Sequence, residues 1–222
     1  LHDALPIYVL RDEAQAKLHT DATLTLTRIC LSLGPKCSLY VGSVLPALIR
    51  SIESQPAAKW SGLLQHVTSV VRCCSRSGQA AADSAAGTLV AHLSALLPFV
   101  SRIWTDAEKD TCPVEVRCEI QTKSLLLLEV LHAAVGQTAF AERLPMLLPM
   151  VLSVLASDIT RDRTLSRAAL QAISSLRGTL RDQLHVVIPA LLALLDSATD
   201  ATNELRSDAL GLLATLAAEH DI

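Results

Sequence analysis

The stretch LPMLLPMVLSVL (Leu144–Leu155) decides how this chain folds. Counted from Pro149, the positions −5, −2, −1, +2, +3 and +6 are Leu144, Leu147, Leu148, Val151, Leu152 and Leu155. Residues three, four, seven, eight and eleven apart lie on one stripe of an α-helix, so this segment is a helix with one greasy face. The same frame recurs on both sides. Around Pro46 it holds Val41, Val44, Leu45, Leu48, Ile49 and Ile52, and around Pro98 it holds Leu93, Leu96, Leu97, Val100, Ser101 and Trp104. Around Pro189 it holds Leu184, Val187, Ile188, Leu191, Leu192 and Leu195. Of these 24 positions 23 are apolar, Ser101 being the exception. In a chain that is 50% apolar, chance agreement is on the order of one in a million.

Proline is tolerated in the first turn of a helix, where N–H groups lack an intrahelical partner, so the four anchors predict helix starts. Pro145 and Pro149 stand four apart, and one of them is expected to kink its helix instead. A second helix precedes each anchor and ends in glycine: Gly34, Gly78, Gly136 and Gly178 are expected as left-handed caps. Asp21, Thr160 or Asp162, and Thr202 are the expected N-caps of the first, fourth and fifth units. The last helix carries Leu205, Ala209, Leu212, Leu213 and Leu216 on one face.

The reading is therefore all-α: an α-solenoid of antiparallel helix pairs, a HEAT- or armadillo-like superhelix spanning 8–222. Its units fall at about 21–54, 57–105, 115–157 and 160–197, with a partial unit at 203–222. The anchors are 52, 51 and 40 residues apart, close to the roughly 40–47 of such units once insertions are allowed, and two loops, Ala80–Gly87 and Asp106–Glu115, are expected to absorb the surplus. Leu1–Ile7 (LHDALPI) joins no later pattern and is set aside as a non-native leader. The chain lacks an initial Met and is expected to be a fragment.

Composition agrees. The chain has 222 residues, and 3% of them are aromatic, so Leu, Ala, Val and Ile supply almost all its apolar surface. Charged residues make up 18%, which with this apolar content excludes an intrinsically disordered chain. A net charge of −3 provides no overall field for nucleic acid or anionic membrane. No apolar run reaches the roughly 18 residues of a membrane span. Cys30, Cys37, Cys73, Cys74, Cys112 and Cys118 are even in number, but several sit inside helical patterns and no secretory signal precedes them. They are read as reduced, mostly buried thiols of a cytoplasmic protein.

Several chemistries have no carrier. The eight glycines come no closer than eight residues apart, so no glycine-rich phosphate loop can form. No G-x-S-x-G or H-E-x-x-H occurs, and neither does the His-Arg-Asp or Asp-Phe-Gly of a protein kinase. No catalytic, cofactor-binding or metal-ligating residue is assigned. His132 is expected to be a core or groove residue, and Cys112 and Cys118 lack the second pair that zinc needs. Arg161, Arg163, Arg167, Arg177 and Arg181 form the one basic cluster. It is either a site for an acidic peptide or, as favoured here, a solvated face paired locally with Asp158, Asp162 and Asp182. Trp104 is expected in the core, and Trp60 is left open between core and partner anchor.

A series of short stretches carries a family resemblance. Val9-Leu10-Arg11-Asp12, His19-Thr20, Ser32-Leu33-Gly34-Pro35-Lys36-Cys37 and Val44-Leu45-Pro46 come first. Ile103-Trp104, Leu144-Pro145-Met146-Leu147-Leu148-Pro149, Asp182-Gln183-Leu184-His185-Val186-Val187-Ile188-Pro189 and Leu194-Leu195-Asp196 follow. In this order they resemble the middle HEAT region of the target of rapamycin (TOR) kinases, serine/threonine kinases of the phosphatidylinositol-kinase-related family. The resemblance implies a scaffold segment upstream of the FAT, rapamycin-binding and kinase regions. Its implied partners are the rest of its own chain, a TOR dimer mate, a raptor-like subunit and, in some lineages, the small GTPase Rheb. It implies a cytoplasmic setting, peripheral on endomembranes through the parent complex. ATP and magnesium are implied only for the kinase region, and no catalytic residue of the family has a counterpart here. The two insertions depart from the family pattern. A free-standing importin-type HEAT adaptor is the alternative, against which the absence of acidic runs argues.

Overall fold

In a computed structural model, residues 5–75, 79–109, 112–158, 160, 163–197 and 203–220 are described, and among them every regular element is helical. The elements are α1 (Leu5–Arg11), α2 (His19–Leu33), α3 (Val41–Glu53), α4 (Trp60–Ser75), α5 (Gln79–Ala107) and α6 (Val114–Val135). After these come α7 (Gln137–Ala141), α8 (Leu144–Ser157), α9 (Thr164–Leu176), α10 (Leu184–Ser197) and α11 (Asn203–His220). The chain divides into two compact units, Leu1–Val135 and Gly136–Ile222, the division falling inside the stretch 115–157.

In the first unit α1 packs on α2 and α3, α2 on α3 and α4, and α3 on α4 and α5. There too α4 packs on α5 and α6, and α5 on α6. In the second unit α8 packs on α9 and α10, and α11 on both α9 and α10. In the first unit each helix thus meets its neighbour and the next but one, and in the second α8 and α11 each meet both α9 and α10. The stripe faces these contacts: all six positions around Pro149 are buried, as are Val41, Val44, Leu45, Leu48 and Ile52 around Pro46. Burying such a side chain contributes about 1.5–3 kcal/mol before chain entropy is subtracted. A polar seam runs between α2 and α3, where Thr23 Oγ1 and Ser51 Oγ lie 3.0 Å apart and His19 Nδ1 is 2.9 Å from Ser54 Oγ.

The prolines do not start their helices. Pro46, Pro149 and Pro189 are each the sixth residue of α3, α8 and α10, and Pro98 lies deep in the 29-residue α5. The expected kink-or-start pair resolves with Pro145 in the first turn of α8 and Pro149 inside it. An interior proline deprives the carbonyl four residues back of its partner. Here those carbonyls belong to Gly42, Ser94, Pro145 and His185, all on exposed residues where water can serve them. The anchors therefore mark the side of the helix turned away from the stripe, and the helix begins at offset −5 in three cases.

Other expectations need correction. Residues 80–87 are not a loop: they form the early turns of α5, consistent with their run of helix-favouring alanines. The expected loop 106–115 is narrower, since α5 reaches Ala107 and α6 starts at Val114. Leu5–Ile7 form the first turn of α1, with Pro6 buried. Gly34 and Gly136 do have positive φ, +57° and +82°. Gly178 does not; it sits in a 3-10 turn, where the Gln137 side chain occupies the space a Cβ would need. Asp21 lies in the first turn of α2 rather than before it. Gly78, Asp162 and Thr202 lie outside the described residues.

At the start of α9 the cap comes from further back than expected. Thr160 Oγ1 accepts from the Thr164 N–H at 3.1 Å, but the larger role is that of Asp158. Its Oδ2 accepts from the backbone N–H and hydroxyl of Ser166, both at 2.8 Å. Its Oδ1 accepts from the Thr160 N–H at 2.9 Å and hydroxyl at 2.6 Å. Burial alone would raise the pKa of this carboxyl, but those four bonds from Thr160 and Ser166 outweigh it and hold the value below the ordinary 3.8.

Among the described residues no single helix is long and apolar enough to cross a membrane.

Candidate functional site

Trp60, left open between core and partner anchor by the sequence, stands at a surface cleft. The turn Ala57–Lys59 delivers Trp60 as the first residue of α4, half-buried, and its indole N–H donates to the Gln55 carbonyl at 2.8 Å. That bond fixes the ring at the mouth of a cleft of about 400 Å³ lined by Ile52, Glu53, Trp60, Arg102, Ile103 and Asp106. An ion pair between Glu53 and Arg102 bridges α3 and α5 beside the opening. The Arg102 guanidinium also sits 5.9 Å from the Phe99 ring centroid. Aromatic, aliphatic and charged walls of this kind can hold a peptide side chain. The cleft holds no nucleophile paired with a base, so proton or acyl transfer has no apparatus here.

Trp104 is buried at 2% exposure, its indole donating to Glu108 at 2.9 Å, which answers the core reading. His132 is buried in α6, where desolvation lowers its pKa. Cys112 is buried and Cys118 half-buried, and among the described residues no group of three His, Cys, Asp or Glu is placed to hold a metal.

Three arginines of the cluster bond within the chain, one of them to an expected neighbour. Arg167 reaches Glu204 at 2.7 Å and Arg177 reaches Glu219 at 2.7 Å, so both bond to α11. Arg163 has a left-handed backbone (φ 50°) and its guanidinium donates to the Asp158 carbonyl at 2.9 Å. Arg181 is exposed, and Arg161 lies outside the described residues.

One grouping escaped the sequence. Cys30 from α2, Cys37 from the 3-10 segment Gly34–Tyr40, and Cys73 and Cys74 from α4 are all buried, and the Cys73 thiol donates to the Cys30 carbonyl at 3.3 Å. A seven-residue separation with Gly34-Pro35 between Cys30 and Cys37 was the available signal. The contribution of α4 needed the packing of α4 on α2.

No protein-family model matches the chain, and no curated protein matches it significantly.

Proposed function

We propose that this chain is a non-catalytic helical-repeat scaffold segment, of the type found in the middle HEAT region of TOR kinases, working in complex assembly and partner docking. The observation that carries the repeat reading is the packing of each helix of the first unit on its neighbour and on the next but one, with most of the proline-indexed stripe positions of α3 and α8 buried. That ladder is how stacked helix pairs bury a continuous core. The ordered TOR-like stretches, from Val9 to Asp196, supply the rest of the argument. On this reading ATP and magnesium belong to a kinase region elsewhere in the parent protein, and this segment meets a dimer mate, a raptor-like subunit or a small GTPase.

The test is to purify the chain with a raptor-type subunit and, separately, to assay it for phosphotransfer. Stable co-elution without phosphotransfer is the expected result. ATP-dependent phosphorylation by pure material would overturn the scaffold reading. A parent reading frame lacking FAT and kinase regions would overturn the TOR assignment.

A further inference from the structure

The walls of the Trp60 cleft differ in chemistry, and together they select one kind of side chain. Two of them are aliphatic: Ile52 of α3 and Ile103 of α5 line the cleft and are otherwise buried. The Trp60 indole is half-buried, and its N–H is already committed to the Gln55 carbonyl at 2.8 Å. What it offers a ligand is therefore ring surface, whose face attracts cations. The charged walls are Glu53, Asp106 and Arg102, two carboxylates against one guanidinium. Each carboxylate already holds a cation of this chain, Glu53 that of Arg102 and Asp106 that of Lys109. All four of these side chains are a third or more exposed, and pairs held that far in water are weak and exchangeable. Arg102 has a second resting place over the Phe99 ring, 5.9 Å from its centroid. Lys59, just before Trp60, reaches Thr20 of α2 at 3.4 Å rather than either carboxylate.

We propose, building on the partner-docking reading above, that this cleft is a pocket for an arginine side chain of a partner protein. The methylene stem of the arginine lies on Ile52 and Ile103, and its guanidinium stacks on the Trp60 ring. Its N–H groups donate to Glu53 and Asp106 in place of Arg102 and Lys109. An acidic side chain would meet two carboxylates in the same space. A purely aliphatic one would strip water from them and return no hydrogen bond. Lysine carries the charge but lacks the planar fork that stacks and bonds at once. At about 400 Å³ the cleft is near the lower end of the roughly 300–1,000 Å³ of ligand pockets, so it takes one side chain rather than a folded segment.

The two tryptophans of the chain, Trp60 and Trp104, make the pocket directly readable by NMR. Each gives one indole N–H signal, and the buried Trp104, bonded to Glu108, serves as the internal control. The full 222-residue chain is titrated with the blocked pentapeptide Gly-Gly-Arg-Gly-Gly up to about 10 mM, a range that covers the millimolar affinity of a single side chain. A saturable shift of the Trp60 signal is expected, with Trp104 unmoved and the binding weakened by added salt. Peptides with lysine, leucine or glutamate at the centre should bind more weakly. The double variant Glu53→Gln/Asp106→Asn, checked for helicity by circular dichroism, should lose the response. Trp60→Leu, followed on the peptide's own signals, should weaken binding by about two- to thirtyfold. The peptide comparison on the wild-type chain decides the matter even if a variant does not fold. No saturable Trp60 shift, leucine or glutamate binding as tightly as arginine, or undiminished binding by the folded double variant would each overturn the proposal. Co-elution with a raptor-type subunit is read separately on the same preparation. Arginine binding without co-elution supports the pocket and counts against the TOR reading, whereas co-elution without arginine binding does the reverse.

Discussion

Helices α8 and α10 carry the same proline-indexed stripe in the same compact unit, yet they are covered unequally. On α8 every stripe residue is buried, Leu152 being among the least so at 9% exposure. On α10 Val187 and Leu191 are buried, Leu184, Ile188 and Leu195 are half-buried, and Leu192 is 49% exposed. Periodicity therefore selects which face is apolar, and the helices laid against that face decide how much of it leaves water. α8 packs on α7, α9 and α10, whereas α10 packs on α8, α11 and the 3-10 turn Arg181–Gln183.

The contrast can be broken at several points. The largest effect is expected from Leu148→Asp on α8. A carboxylate without a partner in the core costs several kcal/mol, enough to unfold the second unit. Leu192→Asp on α10 puts the same charge where water reaches it and should shift stability by no more than about 1 kcal/mol. Equal losses of helicity and melting temperature in the two variants would refute the unequal cover. Truncation gives a milder version: Leu148→Ala should cost about 2–5 kcal/mol, as core leucines do, and Leu192→Ala well under half of that.

The α8–α9 junction can be weakened next. Asp158→Ala removes the acceptor at the start of α9 and leaves a buried donor on Ser166 and a half-buried one on Thr160, an expected loss of about 1–3 kcal/mol. Because folding lowers the pKa of Asp158, its contribution is present above the unfolded carboxylate value and disappears as pH falls through the folded one. Urea melts of wild type and variant should thus converge below about pH 4. A gap that persists undiminished at pH 2 would show that the carboxylate charge plays no part. The smallest effect is expected at the other cover. Arg167→Ala breaks an ion pair with Glu204 that is largely in solvent, and such pairs contribute about 0.2–1 kcal/mol, less in high salt.

Much of the architecture was legible because helical period needs only local sequence. Leu205, Ala209, Leu212 and Leu216 on α11 are buried as their spacing predicts. What misled was punctuation. Proline near a helix start and proline on the outer side of a helix leave the same trace in sequence, since both avoid the buried stripe. Gly178 was indistinguishable from Gly34, although only Gly34 has a positive φ, while at Gly178 the end of the Gln137 side chain lies where a Cβ would stand. The run 80–87 contains Gly87, a turn former in isolation, but α-helix accommodates its small residues. The Trp60 cleft was half visible: the residue stood out, while Arg102 and Asp106 reach it through the packing of α5 on α3.

By itself, the sequence determined that this protein is built of helices and which side of most of them is greasy, because 3.6-residue periodicity is a local property of the chain. The tertiary structure alone decided that Arg167 and Arg177 pair with α11, that Asp158 caps a helix eight residues on, and that Cys73 reaches the Cys30 carbonyl. Those contacts join residues far apart in sequence, and no local pattern records which helices will be laid side by side.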